Sequence, residues 1–237
     1  MRTVQAVAWK EIQIYFSSPT AYIVAMIFLA LASFFFVRDL SNPFPQASMS
    51  SFFQGATIIL ILLAPTLTMR LLAEEQKLGT IELLLTSPVR DWEVVLGKYI
   101  ASLVFLLGTI LLTVYFVILL VIFAGPDFGP IWSGYLGLIL YGAAALSIGL
   151  LTSTLTSNQI VAAVVAMGIL LVLYFTDFAA ATLTGLPATI VNEIGLKSHF
   201  DDFERGVIDT KHIAYYLLLT SFFVFLSIRA LESRRWR

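Results

Sequence analysis

Charged residues are absent from four long stretches of the chain, and apolar side chains fill most of each stretch. About 20 apolar residues are enough for a helix to cross a bilayer, so every stretch is long enough for at least one crossing. Continuous apolar runs such as 58–65 and 164–175 lack the alternation of a transmembrane strand. The pattern predicts an all-α integral membrane protein. The charge-free stretches are 12–37, 40–69, 99–126 and 128–176.

We predict six transmembrane helices, joined by turns and short polar segments. The glycines and prolines at 125–130 indicate a turn, and the polar residues at 156–158 indicate a short loop. The first apolar run has no small-residue cleavage site, so we expect a retained helix and not a removed signal peptide. The predicted helices cover 20–37, 52–72, 94–124, 132–155, 160–176 and 212–230.

Residues 3–17 precede the first crossing and have the pattern of an amphipathic helix. Trp9 beside Lys10 favours the level of the lipid headgroups, so we interpret the segment as an interfacial helix. A helix of a soluble tail is the alternative. The apolar face is predicted to contain Val4, Val7, Ala8, Ile12, Tyr15 and Phe16.

Lysine and arginine are unevenly divided between the two sides of this topology. The side with more of them is expected to be cytoplasmic, which places both termini in the cytoplasm and residues 177–211 outside. Ten lie on the first side: Arg2, Lys10, Arg70, Lys77, Arg90, Lys98, Arg229, Arg234, Arg235 and Arg237. Four lie on the other: Arg38, Lys197, Arg205 and Lys211.

Composition and motifs exclude several classes of function. The chain has no cysteine, which rules out disulfides and thiolate metal sites, and its net charge of −1 gives no argument for nucleic acid. No Gly-rich phosphate-binding loop and no hydrolase motif occurs, so we predict neither an enzyme nor a bound cofactor. His199 with Asp201 and Asp202 is interpreted as solvated polarity of an outer loop, in preference to a metal site.

Small residues cluster at 142–149 and 162–168, in the fourth and fifth crossings. Close helix packing is the expected reason, and a substrate path along this face is the alternative. The predicted crossings carry no charged residue at their centres. This argues against a proton-coupled or sodium-coupled pump, which needs such groups.

The segment 74–90 separates the second and third crossings and predicts a very short helix. Gly79 can end the preceding helix and Thr80 can cap a new one. Pro88 disfavours helical geometry just before it, so the new helix covers only about 81–86, roughly 9 Å at the usual rise per residue. Such a helix cannot cross a membrane.

This short helix is apolar on nearly all sides, although Glu82 lies in its first turn. Asp91 is predicted to cap the next helix. Exposing the leucines to cytosol is unfavourable by about 25 cal/mol per Å². The helix therefore needs an apolar surface that covers it, either the membrane face of this chain or a partner protein. The apolar residues are Ile81, Leu83, Leu84 and Leu85.

This segment, followed by WEVVLGKYIA at 92–101, resembles the cytoplasmic loop of ABC-2 type transporter permeases. Six crossings, the amphipathic N-terminal helix and the outer segment also fit, so the resemblance covers nearly the whole chain. The run at 197–217 is most similar to the gliding-motility-type GldF permease subgroup. The loop residues that carry the resemblance are Glu74, Glu75, Gly79, Thr80, Ile81, Glu82, Leu83, Leu84, Leu85, Thr86, Ser87 and Pro88.

The resemblance implies that residues 80–86 form a coupling helix seated in a cleft of a separate ATPase subunit, with Glu82 as a polar contact. It also implies an interface helix beside that cleft and a re-entrant outer segment near 179–195. ATP and Mg would bind the ATPase subunit and not this chain. The interface-helix residues are Val4, Val7, Trp9, Lys10, Glu11 and Ile12.

The expected assembly has two ATPase subunits and a second permease, identical or related, in a bacterial inner membrane. An auxiliary subunit of the gliding type is a further partner under the subgroup assignment. The expected activity is export of a lipid-linked, amphipathic or polymeric cargo. Two alternatives stay open: a non-transporting scaffold of an ATPase-driven surface machine such as gliding motility, and a secondary transporter.

Overall fold

The computed structural model describes residues 2–40, 48–80 and 89–234, and these residues form helices with no strand among them. The helices are α1 (Arg2–Ser17), α2 (Pro19–Leu40), α3 (Ser50–Thr68), α4 (Ala73–Lys77), α5 (Asp91–Leu112), α6 (Val114–Phe123), α7 (Phe128–Leu155), α8 (Gln159–Tyr174), α9 (Thr176–Thr182), α10 (Leu186–Ile194), α11 (Leu196–Glu204) and α12 (Thr210–Arg234).

Within the described ranges, six helical segments are long and apolar enough to cross a membrane. They are Pro19–Arg38, Ser50–Lys77, Asp91–Phe123, Phe128–Leu155, Gln159–Thr182 and Thr210–Ser233. Each overlaps one of the six predicted crossings. The prediction of an all-α membrane protein is confirmed.

Helix α7 lies at the centre of the fold, where it packs against α3, α8, α11 and α12. Glycines on α7 allow this packing. A Cβ atom at Gly142 would lie 2.5 Å from Leu106 Cδ2, and one at Gly149 would lie 2.0 Å from Thr68 Oγ1. Close helix contact therefore accounts for the small residues at 142–149.

The segment predicted as an outer loop, 177–211, is mostly helical and contains α10, α11 and most of α9. Helix α11 buries Leu196, His199, Phe200 and Phe203. Tyr216 of α12 donates a hydrogen bond to the carbonyl of Leu196 at 2.7 Å, which fixes α11 to the last crossing. The re-entrant position expected near 179–195 stays a prediction.

The turn predicted at 125–130 is shorter than expected, because α7 begins at Phe128. Asp127 caps this helix by accepting a hydrogen bond from the backbone amide of Gly129 at 3.0 Å. At the other end of α7, Asn158 accepts one from the amide of Ile160 at 3.0 Å and caps α8. These two caps fix the turns on either side of the central helix.

Candidate functional site

Helix α1 packs along α5, close to α4. Ala8 and Glu11 are buried on the packed face of α1, and Gly97 of α5 faces Val7. A Cβ atom at Gly97 would lie 2.7 Å from Val7 Cγ1 and 3.2 Å from the carbonyl oxygen of Val4. The absence of a side chain at Gly97 therefore lets the two helices approach this closely.

Lys98 lies beside this contact and its side chain is only 2% exposed. Its ammonium group donates hydrogen bonds to Glu11 Oε1 at 2.7 Å and to Glu75 Oε1 at 2.8 Å. Because the two carboxylates belong to α1 and α4, one lysine on α5 joins three elements. We call Glu11, Glu75 and Lys98 the buried triad.

Tyr15 provides a second attachment for α1. Its ring stacks on Phe105 of α5 with 5.2 Å between centroids, and its hydroxyl donates to the carbonyl of Leu67 at 2.8 Å. Leu67 lies in the last turn of α3, where carbonyl groups lack a partner within the helix. Tyr15 therefore ties α1 to both the second and the third crossing.

The chain between α3 and α4 is held against the central helix α7. The Ser153 hydroxyl accepts hydrogen bonds from the amides of Leu72 and Ala73, both at 3.1 Å, and donates one to the carbonyl of Met69 at 3.1 Å. Gln76 donates from Nε2 to the carbonyl of Thr154 at 2.8 Å. A displacement of α4 would therefore act directly on α7.

The predicted loop residues divide into two groups. Glu74 forms an ion pair with Arg70 at 3.1 Å and Glu75 belongs to the buried triad, so both carboxylates contact this chain. Gly79 has a φ of +71° just after α4, as expected for a glycine that ends a helix. Thr80 donates to the carbonyl of Glu75 at 3.3 Å. Ile81 to Pro88, and with them nearly all of the predicted coupling helix, lie outside the described residues.

One sequence prediction near this site needs correction. Asp91 is the first residue of α5 and does not cap it; Glu93 closes the turn by accepting a hydrogen bond from the Arg90 amide at 3.1 Å. On α1, Phe16 is 48% exposed and meets the ring of Phe105 edge-on, with 5.8 Å between centroids. Glu11 lies on the buried face, where it pairs with Lys98.

The surface left for a partner is formed by the other residues of the two helices. Leu78 is 67% exposed at the end of α4, and Gly79 and Thr80 are also exposed. On α1, Trp9 is 63% exposed and Lys10 is exposed, while Val4, Val7 and Ile12 are partly buried. Most of the predicted interface helix therefore packs inward.

Comparison with known proteins assigns the chain to a family. Residues 5–232 match the family described as ABC-2 family transporter protein. The chain belongs to the ABC-2 family of transporter membrane proteins. It is thus a membrane protein of a transporter family, with relatives that are described as permeases.

Two curated relatives match part of this ABC-2 permease. Both are described as the probable multidrug ABC transporter permease YbhR, one from Escherichia coli strain K12 and one from strain O157:H7. Each is 31% identical over 87 residues, which is 37% of this chain and 23% of the relative. The match thus covers less than a quarter of the relatives' length.

Sequence reasoning missed three residues of this ABC-2 permease that organise the site: Lys98, Ser153 and Gln76. Lys98 carried a usable signal, since a lysine buried within an apolar helix requires a nearby partner. Ser153 and Gln76 carried none, because serine and glutamine are common at helix ends. Their roles depend on hydrogen bonds between residues about 80 positions apart, and the local sequence does not indicate such distant partners.

His199 of α11 is a packed core residue. It is 3% exposed, stacks on the ring of Tyr215 at 3.8 Å, and lies 5.0 Å from His212 between centroids. Its Nδ1 lies 2.9 Å from the carbonyl oxygen of Gly195, so this nitrogen carries the proton. The prediction of solvated polarity is wrong for His199.

The acidic side chains near His199 are engaged with other partners. Asp202 accepts a hydrogen bond from His212 Nε2 at 2.7 Å, and Glu193 lies 3.8 Å from His199 Nε2 while it pairs with Lys211 at 2.6 Å. Among the residues that the structure describes, no group of three His, Cys, Asp or Glu side chains has metal-site geometry.

The pKa of His199 is lowered from 6.5, chiefly by burial and further by nearby His212 and Lys211, although the Gly195 carbonyl and Glu193 oppose this. The folded state therefore binds this proton less readily than the unfolded state. The contribution of neutral His199 to the free energy of unfolding is complete above pH 6.5. It is lost as the pH falls through the lower pKa that His199 has in the folded state. We expect the melting temperature to fall by a few degrees between about pH 8 and about pH 5.

The control is His199→Asn, whose amide keeps a donor for the Gly195 carbonyl but does not titrate. Thermal unfolding of the detergent-solubilised protein across this pH range measures both proteins. A decline of equal size in the variant would assign the pH dependence to other groups.

Proposed function

We propose that this chain is the permease subunit of an ABC-2 exporter in a bacterial inner membrane, driven by a separate ATPase subunit. Family membership implies such a partner in a membrane complex. The observation that carries the proposal is the buried triad, which joins α1, α4 and α5 into one unit next to the loop 74–90. A force applied to this loop reaches the membrane through Lys98.

Some residues of the coupling surface would bind the ATPase, and others would transmit its movement. Residues 80–86 would seat in the ATPase cleft as the coupling helix, together with Leu78 and Trp9, which are exposed nearby. Glu74 and Glu75 would transmit the movement, because they hold α4 against Arg70 and Lys98. Ser153 carries the same movement to α7. ATP-driven closure of two ATPase subunits would shift the packed helices between two arrangements.

The assembly contains a second permease copy or a related chain, and ATP with Mg binds the ATPase subunits alone. Both termini lie in the cytoplasm, as the lysine and arginine distribution predicts. The relative described as a multidrug permease favours an apolar or amphipathic cargo. The gliding-motility-type subgroup and its auxiliary subunit stay part of the proposal on the resemblance alone. The alternative is a non-transporting scaffold, whose ATPase would respond to a protein partner and to no small cargo.

Affinity purification from native membranes tests the docking surface. We expect Glu82→Arg and Leu84→Asp each to weaken ATPase binding by about 2 kcal/mol or more, as for buried contacts at an interface centre, which is about thirtyfold in affinity. The co-purified subunit is identified by its sequence, its phosphate-binding motif and its ATP hydrolysis. The matched control is Leu186→Asp, which changes a leucine that is 79% exposed on the opposite side.

The control should retain the ATPase at the wild-type level, and all variants should keep the wild-type elution volume in size-exclusion chromatography. Undiminished ATPase in both loop variants would show that residues 80–86 are not the docking site. Purification of the wild type without any ATPase would favour the secondary transporter.

A further inference from the structure

A cavity of about 600 Å³ opens beside the buried triad. One wall is formed by α1 and the start of α2, and the other by the end of α3 and by α4. The volume lies within the range of sites for drug-sized molecules. No part of the proposed function uses this space.

The lining of the cavity is amphipathic. Ile14, Val24 and Leu67 supply apolar surface on both walls, and the ring of Tyr15 adds an aromatic surface. The charged groups come from α1, from the end of α3 through α4, and from α5, and the triad residues Glu11, Glu75 and Lys98 all face the cavity. A ligand that matches both sides has an apolar body and a polar head.

The lining contains three cationic and three anionic residues, and the triad is the part of it with a local excess of negative charge. Lys98 is shared by Glu11 and Glu75, which leaves one negative charge uncompensated within the triad. Glu75 Oε2 is buried and has no hydrogen-bond partner among the described residues. Arg70 is already engaged with Glu74 and Thr20, and Lys10, the remaining cation of the lining, has an exposed side chain.

We propose that this cavity is a loading site for an amphipathic organic cation whose ammonium group donates to Glu75 and whose apolar body contacts Ile14, Val24 and Leu67. The inference deepens the proposed function, on which it rests for transport, by naming the substrate class. Binding itself needs no ATPase. Since the ammonium group competes with Lys98 for Glu75, cargo in the cavity would also loosen the contact that holds α4.

The test uses the full chain in nanodiscs of zwitterionic lipid and two matched probes. One is a dansyl-labelled octylamine, and the other is its N-acetylated, neutral derivative. Fluorescence titration, corrected with empty nanodiscs, gives the affinity for each. We expect the wild type to bind the amine about tenfold more tightly than the neutral derivative, as for a hydrogen bond to a charged group.

Three variants separate the causes. Glu75→Gln should abolish the preference for the amine, while Lys98 keeps Glu11 as a partner. Val24→Trp should fill the cavity and weaken both probes without touching a charged residue, so it keeps the test informative if Glu75→Gln folds poorly. Glu232→Gln removes another acidic group, which is paired with Arg229 outside the cavity lining, and should bind like the wild type.

Equal affinity for both probes, or an undiminished preference in Glu75→Gln, would overturn the proposal. Tighter binding of a matched carboxylate probe would do the same and assign the cavity to anionic amphiphiles. A wild-type permease that shows no amine selectivity but still co-purifies its ATPase refutes the loading site alone. Selective binding by a chain that never captures an ATPase refutes the proposed function alone.

Discussion

Lys98→Met will detach α1 from the third crossing and lower the free energy of unfolding by about 3–5 kcal/mol, the usual cost of removing one partner from a buried ion pair. The lysine is 2% exposed, and its removal leaves the carboxylates of Glu11 and Glu75 without their shared cation. Two buried negative charges then repel each other and lose a strong hydrogen bond each. The contact between α1, α4 and α5 will open.

The absence of cysteine provides a clean measurement of this opening. In an Ala8→Cys background the thiol lies on the buried face of α1, where Ala8 is 6% exposed, and should react slowly with a maleimide. Lys98→Met should accelerate labelling and lower the melting temperature. Unchanged labelling and a loss below about 1 kcal/mol, the range of an exposed pair, would show that the triad is structurally unimportant.

A triple variant separates stability from coupling. Glu11→Leu, Lys98→Met and Glu75→Leu together replace the triad by apolar side chains of similar size, which is often neutral or stabilising. We expect the triple variant to regain most of the stability lost in Lys98→Met. In the proposed complex, cargo-stimulated ATP hydrolysis by the ATPase subunit should stay low with this variant if the polar contact transmits the movement. Full activity would instead show that α1, α4 and α5 need only be packed together.

Gly97→Leu should separate the same two helices by steric means. Even a Cβ atom at this position would lie 2.7 Å from Val7 Cγ1, and the carbonyl oxygen of Val4 blocks adjustment of the backbone. Overpacking of this kind costs about 1–3 kcal/mol. We expect faster labelling at Ala8→Cys and a lower melting temperature.

The matched control is Gly108→Leu, on the same helix α5. A Cβ atom there meets no atom within 4 Å, and replacing a helical glycine is favourable by up to about 1 kcal/mol. This variant should therefore melt at or above the wild-type temperature. Equal destabilisation by both substitutions would indicate a general effect of bulk in α5 and not the contact with Val7.

The sequence was sufficient for the crossings because their physical requirement is local. A helix in lipid must satisfy its backbone internally and present apolar side chains, and both conditions can be read from consecutive residues. The predicted 20–37 and 132–155 accordingly lie within the observed Pro19–Arg38 and Phe128–Leu155. The break between α5 and α6 at Thr113 was not predicted, because the Thr113 hydroxyl contacts Tyr135 on another crossing.

The site was less predictable because its contacts join distant parts of the chain. Glu11 and Lys98 are separated by 87 positions, so neither local pattern nor helix periodicity indicates that they meet. The resemblance placed Glu11 on an interface helix beside a partner, and nothing in the sequence indicated its pairing with Lys98 in the interior. His199 was expected to be exposed to solvent, but contacts with Tyr215 and the Gly195 carbonyl bury it. The coupling helix at 80–86 stays a prediction from its residues and from the resemblance.

The order of the triad residues along the chain bears on how the protein is made. Synthesis proceeds from the N-terminus, so Glu11 and Glu75 leave the ribosome before Lys98. When the third crossing inserts, both carboxylates are already available to neutralise its lysine. The first half of the chain can thus complete its own charge pairing during translation, and Ser153, made later, fastens it to the second half.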